Sequence, residues 1–250
     1  MKTRFFESHI APLALFALSL LVFSNTFTGE FVWDDEHYVI GREKLFGDLG
    51  NVPKVFVTAD PMNTHAHDNI ANMYMRHGRT EKAMEHLKTA VRLEPSNAMA
   101  HYNLAVAYGR MNLKEKEIEQ YETAISLKKD IVEAYVNLGV AYTEAGRYKE
   151  AVVVLKKAIE LNPDDAVAYN GLANAYYFLK DFKEAEQYYK KALGINPDYP
   201  EARYNLIQIY VENGDYKNAV KELETLKMNN PDYAKMALTG KLKEFLEKKR

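Results

Sequence analysis

The chain has 250 residues, of which 47% are hydrophobic, enough for one or two domains with a buried core. Its 33 Lys and Arg residues are matched by 35 Asp and Glu residues, giving a net charge of −2. This balance argues against a nucleic-acid-binding protein, which would normally be clearly basic. Cysteine is absent, so disulfides, thiolate metal sites and cysteine nucleophiles are excluded.

Near the N-terminus, two basic residues, Lys2 and Arg4, precede an apolar run. The run covers residues 10–27, and its 18 residues are near the lower limit for crossing roughly 30 Å of hydrocarbon. We therefore expect a membrane anchor at 1–27, with the N-terminus in the cytoplasm and the remainder outside, because the basic residues precede the run. A cleaved signal peptide, giving a secreted or periplasmic protein, is the alternative, although no A-x-A-like site follows.

Residues 28–63 are predicted to form an extracytoplasmic loop or linker. Near their start they contain the only tryptophan of the chain, in the sequence FVWDDEHY at 31–38. With the preceding run, this segment resembles the first span and first loop of membrane glycosyltransferases, most closely the transmembrane and tetratricopeptide-repeat proteins related to protein O-mannosyltransferases. The resemblance implies that Asp34 and Asp35 match an acidic residue that serves glycosyl transfer in that family.

Catalysis by Asp34 and Asp35 is not expected from this chain alone. The related enzymes use several further membrane spans to complete the site, whereas here a repeat array follows the first loop directly. A carboxylate outside an enclosed, preorganised site contributes little to rate. The chain is therefore predicted not to be an enzyme. An accessory or shortened relative of a membrane glycosyltransferase, offering its loop to another protein, is the alternative.

Residues 64–233 repeat with a period of 34 residues. The sequence YVNLGVAY at 135–142 aligns with YNGLANAY at 169–176, and the same offset relates Pro163 to Pro197. Extended in both directions without an insertion, the period gives five units, each predicted to be a helix, a turn and a second helix. The units are 64–97, 98–131, 132–165, 166–199 and 200–233.

Fixed positions within the unit carry residues suited to close helix packing. The eleventh position is always tyrosine, and the eighth is alanine or glycine in four units. The turn holds glycine or asparagine in four units, which tolerate the left-handed conformation that ends a helix, so Lys180 in the fourth should lower stability. In the second unit Glu117 replaces a small alanine and Lys129 a proline, which predicts an irregular or softer second helix.

These features resemble the tetratricopeptide repeat family over residues 64–233. The resemblance implies an all-α, right-handed solenoid whose first helices line a concave groove. Residues 234–250 have apolar residues on one side of a lysine-rich pattern and are predicted to form one capping helix. The predicted fold is thus five helix-turn-helix repeats and a cap behind one transmembrane helix.

The family geometry implies that the second, fifth, sixth, ninth, twelfth and thirteenth positions face the groove. Asparagines there offer a donor and an acceptor to an extended peptide, although asparagine is also simply common at the sixth position. Aromatic residues there would hold apolar anchors of a partner, unless they only pack between repeats. The predicted groove residues are Asn69, Asn72, Asn103, Asn137, Asn174, Asn205, Tyr102, Tyr177, Phe178 and Tyr204.

Two other kinds of site are not expected. Chaperone-binding members of the family hold a terminal carboxylate with lysine at the fifth position, and this chain has no lysine there. His65 and His67 are two residues apart, which places their rings on different faces of a helix, so structural roles rather than metal ligation are predicted. No cofactor motif is found in 64–250. The sequence therefore predicts a scaffold that binds a protein or extended peptide, with self-association left open.

Overall fold

The computed structural model describes residues 64–238 and 240–248, and this part of the chain contains twelve α-helices and no strand. None of these helices is long and apolar enough to cross a bilayer. The predicted anchor at 1–27, the predicted loop at 28–63 and the candidate carboxylates Asp34 and Asp35 all lie outside the described residues.

Ten of the helices form five antiparallel pairs that begin every 34 residues. The first helices have 13 residues each: α1 (Thr64–Arg76), α3 (Ala98–Arg110), α5 (Val132–Glu144), α7 (Ala166–Phe178) and α9 (Pro200–Glu212). The second helices have 14 each: α2 (Thr80–Leu93), α4 (Lys114–Leu127), α6 (Tyr148–Leu161), α8 (Phe182–Ile195) and α10 (Tyr216–Asn229). The predicted all-helical repeat array is confirmed.

The turn inside each pair is closed in the same way five times. The carbonyl oxygen of the eleventh-position tyrosine accepts a hydrogen bond from the backbone N–H five residues later. In the third repeat, for example, the Arg147 N–H donates to the Tyr142 carbonyl oxygen at 2.8 Å. This bond satisfies a carbonyl that the helix end would leave unpaired. It requires a positive φ in the turn, which Gly146 adopts at 75° and which Lys180 adopts at 65° despite its Cβ.

The core lies between the two helix layers, where small residues let the helices approach closely. The second-helix alanines of four repeats are completely buried: Ala83, Ala151, Ala185 and Ala219. First helices of neighbouring repeats also contact each other, as α5 does α7. The first helices therefore form a continuous inner layer, and the second helices form the outer one.

The second helix of the second repeat is regular, so the predicted irregularity was wrong. Helix α4 has the same length as its counterparts although Glu117 occupies the alanine position. The opposite helix makes room for it: a Cβ on Gly109 would lie 2.6 Å from the Glu117 carboxylate. Lys114 Nζ neutralises that buried carboxylate at 2.7 Å. A charged residue is tolerated because its partner helix supplies both space and a counter-charge.

The C-terminal segment forms two short helices rather than the one predicted over 234–250. Helix α11 (Pro231–Ala237) begins at a proline, with Asn230 capping the Tyr233 N–H at 3.2 Å. Helix α12 (Gly240–Lys248) begins at Gly240, whose φ of 51° cannot continue a right-handed helix. Helix α11 contacts α9 and α10 as the first helix of a sixth repeat would.

Candidate functional site

The predicted groove residues lie on the first helices and differ in exposure. Asn69, Asn72 and Phe178 are exposed. The remaining seven are half-buried: Asn103, Asn137, Asn174, Asn205, Tyr102, Tyr177 and Tyr204. All ten are thus at least partly accessible, but the contacts they make divide the groove into two different halves.

In the N-terminal half, one amide and one aromatic side chain are engaged with each other. Asn137 Nδ2 donates to the Tyr102 hydroxyl at 3.2 Å. The Tyr102 ring packs on Tyr121 with centroids 5.8 Å apart. Burial raises the pKa of Tyr102, and the nearby Glu133 carboxylate raises it further. Tyr102 therefore contributes to packing between repeats as well as to the groove wall.

Gly171 interrupts the series of sixth-position asparagines, and the structure gives the reason. Leu155 from the preceding second helix fills the space, so that a Cβ on Gly171 would lie 3.1 Å from Leu155 Cδ2. The same leucine would be only 2.3 Å from a Cβ on Gly139. A side chain at 171 would therefore require Leu155 to shift, and the amide series is interrupted in the fourth repeat.

The C-terminal half contains an open cleft of about 320 Å³ between α7 and α9. Five predicted groove residues line it together, and two further residues, Tyr189 and Gln208, complete the wall. The predicted members are Asn174, Asn205, Tyr177, Phe178 and Tyr204. No charged side chain is among its lining residues. The cleft therefore combines aromatic surface with amide hydrogen-bonding groups.

A buried tyrosine orients the amides of this cleft. The Tyr189 hydroxyl donates to Asn174 Oδ1, which also accepts from Asn205 Nδ2 at 3.1 Å. The Tyr189 ring is 1% exposed, and burial raises the pKa of its hydroxyl, so the group stays protonated as a donor. The network holds Asn174 and Asn205 side by side at the cleft wall.

Aromatic rings from three helices surround the edge of the cleft. Phe178 stacks on Tyr148 of α6, with centroids 5.2 Å apart and planes 10° apart. Tyr177 meets the Phe178 ring edge-on at 5.6 Å and packs against Phe182 at 5.5 Å. Lys180 Nζ lies 5.7 Å from the Tyr177 centroid. These contacts fix the Phe178 ring although it is 47% exposed.

A second cleft of about 320 Å³, bounded by the connection from α8 to α9, has its polar groups already engaged. Arg203 pairs with Glu222 and donates to the Pro197 carbonyl at 2.7 Å. Asn229 Nδ2 donates to Asp198 at 2.5 Å. These internal bonds leave the second cleft poorly equipped to hold a ligand.

His67 and His86 pack against each other in the first repeat. His67 Nδ1 lies 3.0 Å from His86 Nδ1, and the His86 ring stacks on Tyr74. Burial lowers the pKa of His86, and the neighbouring His67 lowers it further. Within residues 64–238 and 240–248, no group of three or more His, Asp or Glu side chains is arranged to hold a metal ion.

Sequence reasoning did not single out Gln208, Tyr189 or Tyr148. Gln208 occupies the ninth position of the last unit, so the positional rule that selected Asn174 was sufficient to find it. Tyr189 and Tyr148 are on second helices, which the family geometry assigns to the outer layer. Tyr189 lines the cleft and bonds to Asn174, and Tyr148 stacks on Phe178; the periodic pattern reveals neither contact.

Comparison with known families agrees with this architecture. Profiles described as tetratricopeptide repeat match residues 130–198, 179–242 and 98–131, and one described as TPR repeat matches 71–112, so that together they span 71–242 without a gap. This segment belongs to the tetratricopeptide repeat family. A search of curated protein sequences returned no match.

Several solved structures are similar to the array. A crystal structure of MamA is 28% identical, covers 66% of this chain and 97% of its own, and has a TM-score of 0.58. MamA from Desulfovibrio magneticus is 21% identical over 68% of this chain and 96% of its own, with a TM-score of 0.63. YrrB, described as a TPR protein with an unusual peptide-binding site, is 20% identical over 74% and 97%, with a TM-score of 0.62.

Proposed function

We propose that this chain is a membrane-anchored scaffold whose repeat array holds an extended segment of a partner protein in its groove, outside the cytoplasm. The cleft between the fourth and fifth repeats carries the proposal. It brings Asn174, Asn205 and three aromatic residues together on one wall, where an extended chain can meet both amide and apolar groups. This combination fits binding rather than catalysis.

The hydrogen-bonding capacity of the cleft supports a peptide ligand. Within the described part of the chain, Gln208 makes no hydrogen bond, and the Asn174 amide nitrogen and Asn205 amide oxygen have none either. A peptide group presents one donor and one acceptor, which matches this adjacent pair. The same fold in YrrB is described as having a peptide-binding site.

Photo-crosslinking from two valines of the third repeat tests the groove. Val140 lies on the inner helix α5 and is 39% exposed, whereas Val153 lies on the outer helix α6 and is 69% exposed. The full-length chain carrying a photoreactive residue at 140 should crosslink to a partner in its native membrane. The same residue at 153 is the matched control, and crosslinking from 153 but not from 140 would place binding outside the groove.

The anchor and its orientation rest on the apolar run at 10–27 and the preceding basic residues. An intact N-terminus together with protease accessibility of the array from outside the cytoplasm is the expected result. A mature N-terminus that starts after residue 27 would instead indicate a secreted or periplasmic protein.

A second candidate function is an accessory role in glycosyl transfer, favoured only by the FVWDDEHY segment. In this case another membrane protein would complete a site around Asp34 and Asp35. Replacing both by asparagine should then reduce glycan transfer in the native membrane while crosslinking from position 140 persists. An unchanged glycan profile would reject this role.

A further inference from the structure

Resting on the proposed peptide-binding function, we infer that the cleft between the fourth and fifth repeats receives an aromatic or large aliphatic side chain of an extended peptide, and that lysine or arginine residues flank this anchor. The inference combines three observations: the neutrality of the cleft wall, the orientation of its amides, and the sign of the charges that surround it.

The cleft wall selects an uncharged anchor. Tyr177, Phe178 and Tyr204 line it together with amide side chains, and no lysine, arginine, aspartate or glutamate is among the lining residues. An ionised anchor placed there would lose water without gaining a counter-charge, which is costly. The cleft has a volume of about 320 Å³, which is at the lower end of the range for small-molecule pockets. It therefore suits one large side chain rather than a folded surface.

The amides are positioned for the backbone on either side of that anchor. Asn174 Oδ1 already accepts two hydrogen bonds, from Tyr189 and Asn205, so the donor nitrogen of Asn174 remains for a ligand. The Asn205 amide oxygen remains as an acceptor. Because the buried Tyr189 hydroxyl fixes this arrangement, the peptide-binding groups are ordered before a ligand arrives, which lowers the entropic cost of binding.

The charges around the groove are negative in the last three repeats. The second and thirteenth positions of these repeats carry four exposed glutamates, Glu133, Glu144, Glu201 and Glu212. One of them, Glu144, is paired with Lys114, so three carry the negative charge. The six groove positions of the same repeats carry no lysine or arginine. By contrast, the thirteenth positions of the first two repeats are Arg76 and Arg110. The groove is therefore polarised along its length.

Two of these carboxylates act electrostatically on groove tyrosines. Burial raises the pKa of Tyr177, and the Glu212 carboxylate raises it further. Burial and the Glu133 carboxylate have the same effects on the pKa of Tyr102. Glu212 is 52% exposed at its side chain, and its nearest ion-pair contact, Lys241, is 3.9 Å away. Lys180 brings one ammonium to the cleft edge, but it lies over the Tyr177 and Phe182 rings. The negative rim complements a peptide with basic residues beside its anchor.

Four end-blocked peptides of equal length test the assignment on the full-length chain. They combine a central phenylalanine or serine with flanking lysines or glutamates, and binding is measured by fluorescence anisotropy. The phenylalanine peptide with lysine flanks should bind most tightly. Replacing its phenylalanine by serine should weaken binding about tenfold, as expected for the loss of a well-packed aromatic anchor.

The charge contribution is tested with salt. Changing lysine flanks to glutamate should weaken binding about tenfold at low ionic strength, and the difference should shrink at 1 M salt, where the Debye length is about 3 Å. Glu212→Gln should weaken binding of the peptides with lysine flanks and leave those with glutamate flanks unweakened. Glu224→Gln makes the same charge change at an exposed position of the outer helix α10 and should have no effect.

Phe178→Ala completes the set. It should weaken both phenylalanine peptides about tenfold and leave the serine peptides unchanged. Val153→Ala, on the outer surface, is its control, and circular dichroism verifies that each variant is folded. Equal binding of phenylalanine and serine peptides, a preference for glutamate flanks, or no effect of Phe178→Ala would each overturn the inference.

The outcome is separable from that of the proposed function. Crosslinking from position 140 with no peptide preference would retain a groove scaffold and reject this anchor. Failure of all four peptides to bind also rejects it. Binding of an uncharged oligosaccharide in their place, or self-association that Phe178→Ala abolishes, would assign the cleft to a glycan or to a second copy of the chain.

Discussion

At the scale of single residues, Asp68 is an unfavourably buried side chain of the first repeat. It is 8% exposed, and its Oδ1 atom has no hydrogen-bond partner among the described residues. Burial raises the pKa of Asp68 to about 6, an effect that His65 opposes and Glu94 reinforces. At neutral pH the first repeat therefore holds a buried negative charge without a direct hydrogen bond to that oxygen.

Asp68→Asn should stabilise the protein at pH 8 but not at acidic pH. Because the folded pKa of about 6 lies above the ordinary value of 3.8, folding favours the protonated form, and this stability is lost as pH rises through 6. A shift of about two pKa units corresponds to roughly 3 kcal/mol. Urea unfolding should show a gain of this order at pH 8 and little below pH 4.

Asp130→Asn is the control for that experiment. Its side chain is 71% exposed, so the change should leave the free energy of unfolding within about 0.5 kcal/mol at either pH. An equal gain from Asp68→Asn at pH 4 and pH 8 would contradict an effect of ionisation.

Two glycines should respond to alanine in opposite directions. Gly139→Ala would bring a Cβ within 2.3 Å of Leu155, which is itself fully buried, and should cost about 1–3 kcal/mol. Gly194→Ala, in a helix and with open space around the added atom, should gain about 0.5–1 kcal/mol. Thermal unfolding of both variants measures the difference, and a stabilising Gly139→Ala would show that Leu155 can move aside.

At the scale of elements, the repeated turn is the feature that most constrains the sequence. All five turns place one residue at positive φ, and three use glycine there. The fourth repeat instead uses Lys180, whose ammonium lies over two aromatic rings. The backbone strain and the ring contact therefore act in opposite directions at this turn.

Exchanging the turn residues separates these effects. Gly146→Lys should destabilise the array by about 1 kcal/mol, because a left-handed conformation is unfavourable for a residue with a Cβ. Lys180→Gly relieves the same strain but loses the cation–π contact, leaving a net gain of about 0.5 kcal/mol. The urea midpoint should therefore fall in Gly146→Lys and rise in Lys180→Gly. A loss of stability in Lys180→Gly would mean that the ring contact dominates.

The sequence was sufficient to locate the helices of the array, because period and turn residues depend on local backbone geometry. It was insufficient wherever two helices compensate each other. Gly109 accommodates Glu117, and Leu155 packs closely on Gly171, although neither pair repeats along the chain. The break before α12 had a local signal in Gly240 that outweighed the apolar pattern.

The groove was predictable only by position. The period placed Asn174, Asn205 and Tyr204 on the first helices, and the structure brings them to one cleft. The period contained no information on which asparagines form hydrogen bonds within the protein, as Asn137 does with Tyr102. Such contacts join residues about one repeat apart and depend on how neighbouring helices are oriented.

At the scale of the whole molecule, each repeat depends mainly on its neighbours. In such arrays stability is the sum of repeat and interface contributions, so local damage spreads only to adjacent units. The C-terminal helix α12 joins this chain of contacts through Phe245, which stacks on Tyr216 of α10 with centroids 4.6 Å apart. The same stacking joins Tyr148 to Phe178 in the middle of the array.

Phe245→Ala should therefore loosen the C-terminal end only. Losing the stacked pair is expected to cost about 1 kcal/mol and to speed amide hydrogen exchange in α12 and α10. Exchange in the first three repeats should be unchanged, which provides an internal control. Uniform acceleration along the whole array would instead indicate that it unfolds as one cooperative unit.

The packing of Leu155 against two neighbouring repeats has a mechanical consequence. Pulling the ends of the array apart loads all interfaces between repeats in series, and the least interlocked interface yields first. Leu155 of the third repeat fits where a Cβ on Gly139 would collide with it, and it also packs closely on Gly171 of the fourth repeat, so the two repeats interlock. Under tension we therefore expect the interface between the third and fourth repeats to be among the last to separate.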